Sequence, residues 1–253
     1  MTALFDLMEH HIVAFFAVFF RVGAFVGLLP GFGEATVSVR VKLGLAAAFT
    51  MALFPMVLFQ GLVIGSIQQL AVLIATETLA GILLGIGLRL LMLGLQTAGT
   101  IAAQSTSLSQ AFGNAGVEPM PAIGHVLLVS GLALLMMTGL HIKAAQLFVL
   151  SYEIFPLGRG IGGGDVADWG VAQVAHVFQL AFLLSVPFVA LSMLYNLALG
   201  VINKAMPQLM VAFVGAPAIT LGGLFVLFAS APLMLEVWKA AIDSYFVNPL
   251  GVQ

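Results

Sequence analysis

A chain of 253 residues that is 62% hydrophobic and only 7% charged is not a soluble domain, in which roughly 25% of residues carry charge; it is an integral membrane or membrane-complex protein. A net charge of −2 offers no basic footprint for nucleic acid. The absence of cysteine excludes disulfides, thiolate metal sites and cysteine nucleophiles.

The first residues, Met-Thr-Ala-Leu-Phe-Asp-Leu-Met-Glu-His-His, lack the basic start of a signal peptide, so the first helix reads as retained. Residues 12–29 form the first apolar run, about one bilayer crossing long, with Arg21 in its middle. Gly23, Gly27 and Gly31 recur at four-residue spacing, which lets another helix of the same chain approach closely. Pro30-Gly31-Phe32-Gly33 ends the run, and 34–42 reads as a polar connector carrying Arg40 and Lys42. A second run covers 43–58 and a third 70–95, roughly 39 Å at 1.5 Å per residue. The third run holds another G-x-x-x-G (Gly81, Gly85) and two charges, Glu77 and Arg89. Twelve residues apart, these lie roughly 18 Å apart along a helix and about 120° apart around it. They cannot pair with each other, and charge at membrane depth is expensive, so each needs an outside partner.

Residues 98–124 are the longest polar, small-residue interruption. Gln104, Ser105, Thr106, Ser107, Ser109 and Gln110 are followed by Gly113, Asn114, Gly116, Pro119 and Pro121. That density of Gly and Pro predicts a non-helical loop between two membrane-type helices, either an ordinary solvated loop or one at membrane depth. At membrane depth such backbone survives where protein buries it or where it lines a watery cavity. The fourth run is 123–140, followed by His141, Lys143 and a weaker apolar segment, 144–155. A glycine-rich connector, 159–169, leads to Asp165, placed to cap the fifth run, 171–199. Pro187 is expected to kink or split that run. The last run, 209–235, contains Pro217, Gly222 and Gly223, and 236–253 reads as a mildly polar tail with Trp238 and Tyr245. The reading is all-α: a single polytopic domain over 1–253, with about six long, partly broken hydrophobic helices arranged as hairpins. The positive-inside rule gives no orientation, because Arg40, Lys42 and Lys204 fall on one side of six crossings and Lys143, Arg159 and Lys239 on the other.

No Walker A, G-x-S-x-G or H-E-x-x-H motif occurs, and the five histidines show no metal-ligand spacing. Gly158, Gly160 and Gly163 match G-x-G-x-x-G without the strand and helix context that gives the pattern meaning. Asp165 and Asp168 suit a solvated helix start. Enzymatic chemistry, a cofactor and a metal are therefore not expected. Transport, channel formation and assembly remain.

Several stretches together carry a family resemblance. Val39-Arg40-Val41-Lys42-Leu43-Gly44-Leu45-Ala46 resembles the R-x-V-K-L-G-L-A signature of the FliR family, the R-type component of the flagellar type III export gate. The spacing from Phe19-Phe20-Arg21 to Pro30 is similar, as are Glu77 to Gly81, Gly85, Ala98-Gly99, Leu108-Ser109, Gly139-Leu140-His141 and Phe155-Pro156-Leu157-Gly158. Ala205-Met206-Pro207-Gln208, followed by Phe213, Gly215 and Pro217, resembles the family pattern A-x-P-Q-hydrophobic-x-x-F-x-x-G-x-P. Order and spacing agree over nearly the whole chain. Thr106-Ser107 stands where family members often carry Met-Gly.

The resemblance implies a subunit present once per gate, assembled with FliP-like and FliQ-like subunits into a conical pore at the bacterial inner membrane, within the flagellar basal body. Much of the chain would lie above the membrane plane. FlhB-like and FlhA-like proteins would associate, and unfolded rod, hook and filament proteins would pass through. The loop after the third helix, 104–121, would plug the closed pore, with Gln104, Leu108, Ser109, Gln110, Phe112, Gly113 and Pro119 as gating residues and Phe112 as the constriction. Arg21, Glu77 and Arg89 are expected as buried charges paired within the complex. Arg40, Lys42, Gly44, Pro207, Gln208, Gly215 and Pro217 are expected to be structural. The alternatives are a T-type injectisome gate subunit, a secondary transporter using Arg21, Glu77 and Arg89, and a membrane assembly factor without a pore.

Overall fold

The computed structural model describes residues 2–56, 66–106, 122–206 and 211–251, with side-chain surroundings for these except 2–10, 211–214 and 216. Among the described residues the chain is helical, without strands. The elements are α1 (Thr2–Leu28), α2 (Val39–Leu53) with a short 3₁₀ turn (Phe54–Met56), α3 (Ile67–Thr106), α4 (Ala122–Met137), α5 (Leu140–Ile154), α6 (Gly163–Ala205) and α7 (Val211–Val247). Five helices are long and apolar enough to cross a membrane, and α4 with α5, bent by 73°, makes a sixth candidate span. The break falls at Gly139, whose φ of 78° is left-handed, a conformation open to glycine at little cost.

Several expectations from the sequence need correction, among them the connector 159–169, which gives way to helix at Gly163 and so places Asp165 inside the first turn of α6 and not at its cap. Arg40 and Lys42 do not lie in a connector. α2 starts at Val39, behind Ser38, whose carbonyl accepts the N–H groups of Val41 and Lys42 at 3.0 and 3.1 Å. Second, α3 does not stop at the polar stretch but runs through Thr106. Thr100, Ser105 and Thr106 donate their hydroxyls to the carbonyls of Gln96, Ile101 and Ala102 at 3.0, 2.7 and 3.1 Å, so these polar side chains satisfy themselves on a helix. Third, of the kink or split expected at Pro187, the split does not occur: α6 runs through it. Val177, Leu180, Ala181, Leu184 and Phe188 are all buried, one stripe at helical spacing that crosses the proline. Packing along that stripe offsets the ~3 kcal/mol an interior proline costs. Fourth, the presumed tail is the last third of α7, and Trp238, Ile242 and Tyr245 are buried.

The chain forms two compact units whose boundary falls inside α3, α6 and α7. The first comprises residues 1–90, 136–173 and 242–253, the second 91–135 and 174–241. In the first unit, Val18, Val22 and Val26 of α1 pack with Ala46, Leu53 and Phe148. Gly81 and Gly85 of α3 lie directly against α1, where a Cβ on Gly81 would collide with the Arg21 carbonyl oxygen and one on Gly85 with Leu28. Tyr245 donates to the Leu84 carbonyl at 3.0 Å. Gly23 and Gly27 behave differently: among the described residues nothing lies within 4 Å of a Cβ on either, so no described helix packs on this G-x-x-x-G as α1 does on Gly81 and Gly85. In the second unit, Gly99 meets Gly124 and Gly131 meets Leu95 and Trp238. The Trp238 indole N–H donates to the Leu91 carbonyl at 2.8 Å.

Candidate functional site

The most polar point inside the first unit is built on Arg21. α1 buries the face carrying Val18, Val22 and Phe25, and Arg21 stands on that face, so its guanidinium points inward. Glu77 faces it from α3, one turn before Gly81, whose lack of a side chain lets the two helices close. Both residues are 1% exposed, and the Arg21 Nε to Glu77 Oε2 distance is 2.8 Å.

The remaining donors are taken up by α5 and the turn that follows it. Arg21 Nη1 donates to the Ser151 carbonyl and to Ser151 Oγ, both at 3.1 Å, and Nη2 donates to the Phe155 carbonyl at 2.9 Å. Ser151 Oγ can accept because its own proton goes to the Phe148 carbonyl at 2.5 Å. The other Glu77 oxygen accepts the Gly158 N–H at 3.1 Å. Gly158 reaches this position with φ 71°, which a side chain would oppose. The guanidinium also lies 3.9 Å from the centre of the Tyr152 ring, a cation–π contact. The Tyr152 hydroxyl is buried without a hydrogen-bond partner among the described residues.

Burying this pair is tolerable only because nearly every polar atom is satisfied; removing one partner of a buried pair typically costs about 3–5 kcal/mol. Arginine suits the position because its planar fork donates in several directions at once. The arrangement joins α1, α3, α5 and the Phe155–Gly158 turn at one point. It offers no open ligand position and no exposed acid or base, so its chemical capacity is to hold backbone.

Of the residues singled out from the sequence, Arg21 and Glu77 come together here, within the chain itself. Arg89 does not join them and is half-buried, with no hydrogen bond or ion pair among the described residues. Arg40 and Gly44 are exposed on the first turns of α2, while Lys42 folds back so that Nζ donates to the Gly33 carbonyl at 2.9 Å. Gly215 is buried against Tyr195, and Pro217 is exposed on α7. Gln104 sits exposed on the last turns of α3. Leu108, Ser109, Gln110, Phe112, Gly113, Pro119, Pro207 and Gln208 lie outside the described residues. Sequence reasoning missed Ser151, the Phe155 carbonyl and the Gly158 N–H as partners of the pair. The available signal was Ser151 to Gly158 itself, which stood out as a motif without an assigned role. It also missed the half-exposed pair of Lys143 with Asp243, at 2.6 Å.

The profile of the bacterial export proteins, family 1, matches residues 12–245, from within α1 to within α7. The chain is 35% identical over 224 residues to the flagellar biosynthetic protein FliR of Caulobacter vibrioides, covering 87% of this chain and 89% of that one. It is 28% identical over 235 residues to FliR of Escherichia coli K12, covering 89% and 87%, and 26% identical over 223 residues to FliR of Bacillus subtilis 168, covering 86% and 84%. Arg21, Glu77 and the Ser151–Gly158 segment all fall inside the matched region. With a match of that extent and relatives of one name across such distant bacteria, the chain belongs to the bacterial export proteins, family 1, as a FliR-type component of the flagellar export apparatus.

Proposed function

We propose that this chain is the R-type core subunit of a flagellar export gate in the inner membrane, part of the basal body. It assembles with FliP-like and FliQ-like subunits around a pore for unfolded rod, hook and filament proteins, with FlhB-like and FlhA-like proteins associated. The observation that carries the reading, beside the family, is apolar helix surface left uncovered by the described residues. In the most apolar stretches of Val39–Met56 and Pro217–Val247 only 17% of residues are buried. On α7, Leu221, Phe225 and Phe228 are exposed at helical spacing, and on α1 the Gly23–Gly27 face is open. Surfaces of this extent suit partner helices as well as lipid.

The transporter reading has less support. Arg21 and Glu77 already spend their hydrogen bonds on each other and on backbone, so of the three charges that reading needs only Arg89 is left for a substrate. The test is extraction in mild detergent from the native cell with a tag on this chain. Small hydrophobic P-type and Q-type subunits should co-purify in stoichiometric excess; recovery of the chain alone or as a homodimer sinks the proposal. Residues 104–121 are proposed as the pore plug, with Phe112 excluding water and ions. Replacing Phe112 by Ala should raise ion leak through the assembled gate, and unchanged conductance would remove that assignment.

A further inference from the structure

A cleft of about 420 Å³ opens beside the start of α6. Its floor is apolar, with Leu83 from α3, Phe155 from the turn after α5 and Leu250 from the chain's end, and Trp169 forms a wall. Asp165 and Asp168, on the first turns of α6, stand exposed at the same cleft. The walls are held from behind. The Phe155 carbonyl accepts from Arg21, and the Trp169 indole N–H donates to the Pro249 carbonyl at 2.9 Å, which fixes both the ring and the tail that delivers Leu250. A cleft of this size falls in the range of ligand sites, and fixed walls lower the entropic cost of filling it.

The charge at the cleft is uncompensated. Among the described residues neither carboxylate makes an ion pair, and Arg159, exposed on the connector, pairs with neither. The positive end of α6 helps to accommodate acids in its first turn, but it does not account for a preformed apolar cleft at their side. A metal ion is a poor occupant, since the described residues hold no group of three His, Cys, Asp or Glu. A side chain with a cationic tip and an apolar stem matches both features. Its stem packs on Leu83, Phe155 and Leu250, and its tip meets the carboxylates and the Trp169 ring face.

We propose that this cleft is a docking site for a segment of another protein that is apolar and carries lysine or arginine. The proposal stands apart from the export-gate assignment and needs only the geometry of the first unit. The test uses the purified full chain in detergent and reads tryptophan fluorescence. The chain has two tryptophans; Trp238 is fully buried and gives a constant background, while Trp169 lines the cleft. A short synthetic peptide of leucine and lysine should shift the Trp169 emission saturably, and its leucine–glutamate counterpart should not. The double substitution Asp165→Asn with Asp168→Asn should weaken lysine-peptide binding about two- to tenfold, as loss of two exposed ion pairs implies, and Trp169→Phe should abolish the signal. Equal binding of the two peptides, or unchanged affinity in the double Asn variant, overturns the proposal. A shift produced by phosphatidylethanolamine vesicles with no peptide present also overturns it, by assigning the cleft to lipid. The double Asn variant should still co-purify with P-type and Q-type subunits. Loss of peptide binding with co-purification intact is therefore distinguishable from failure of the gate reading.

Discussion

The two units solve one problem by different means. In the first, α3 is fastened to its neighbours by an ion pair and a set of backbone hydrogen bonds centred on Arg21 and Glu77. In the second, α3 is fastened by absence of side chains at Gly99, Gly124 and Gly131 and by one indole at Trp238. The difference teaches what each device is good for. Small residues bring helices close but are tolerant of register, because one apolar contact resembles the next. A buried charge pair with directional partners has one satisfied arrangement, and here that arrangement also fixes a turn of irregular backbone, Phe155–Gly158, which apolar packing alone would not specify.

Arg21→Met leaves Glu77 buried without its cation and should destabilise the first unit by about 3–5 kcal/mol, read as earlier thermal unfolding or faster proteolysis in detergent. Adding Glu77→Leu should recover only part of that loss. The Ser151 and Phe155 carbonyls, which accept from Arg21 in buried bonds, then lose that donor, at about 1–3 kcal/mol for each group left unsatisfied. Full recovery would mean that the backbone bonds contribute nothing and that the pair is only a pair.

In the second unit, Trp238→Ala should cost about 3–5 kcal/mol through the cavity left, whereas Trp238→Phe should cost about 1 kcal/mol for the lost bond to Leu91. If Phe proved as damaging as Ala, the unit would depend on a directional bond after all and the contrast with the first unit would shrink. Gly99→Ala should cost about 1–3 kcal/mol by overpacking, since its Cβ would collide with Gly124 Cα. The smallest effect is expected at the open motif. Gly23→Ala meets nothing among the described residues and should stabilise the isolated protein by up to about 1 kcal/mol through helix propensity. The same unfolding measurement checks it; a destabilised G23A chain would mean that α1 is covered from that side.

Reading the sequence worked where apolar length was the signal and failed where side-chain partnering decided. The runs of 12–29 and 70–95 appear as parts of α1 and α3, and Pro30 with Gly31 ends α1 as expected. The end of α3 was misread because Thr100, Ser105 and Thr106 look like loop residues until their hydroxyls are seen bonded to the preceding turn. Trp238 and Tyr245 looked like tail residues because their stretch is less apolar. They are buried because each ring spends its polar atom on a carbonyl of α3. The two G-x-x-x-G motifs are indistinguishable as text, yet Gly81 and Gly85 are packed while Gly23 and Gly27 are open.

By itself the amino-acid sequence established that this protein is all-helical and membrane-associated and which family it resembles; it also led to the expectation of partners for Arg21, Glu77 and Arg89, which the first two meet in each other. Composition and apolar length carry those conclusions because burial of uncharged surface is additive along a chain and needs no knowledge of neighbours. That the two charges are each other's partner, and that the Ser151–Gly158 segment completes the set, is visible in the folded chain alone. It alone placed Phe155 and Trp169 on one cleft with two unpaired carboxylates. These depend on direction and distance between residues far apart in the chain, and hydrogen bonds and ion pairs fall away steeply when either is wrong.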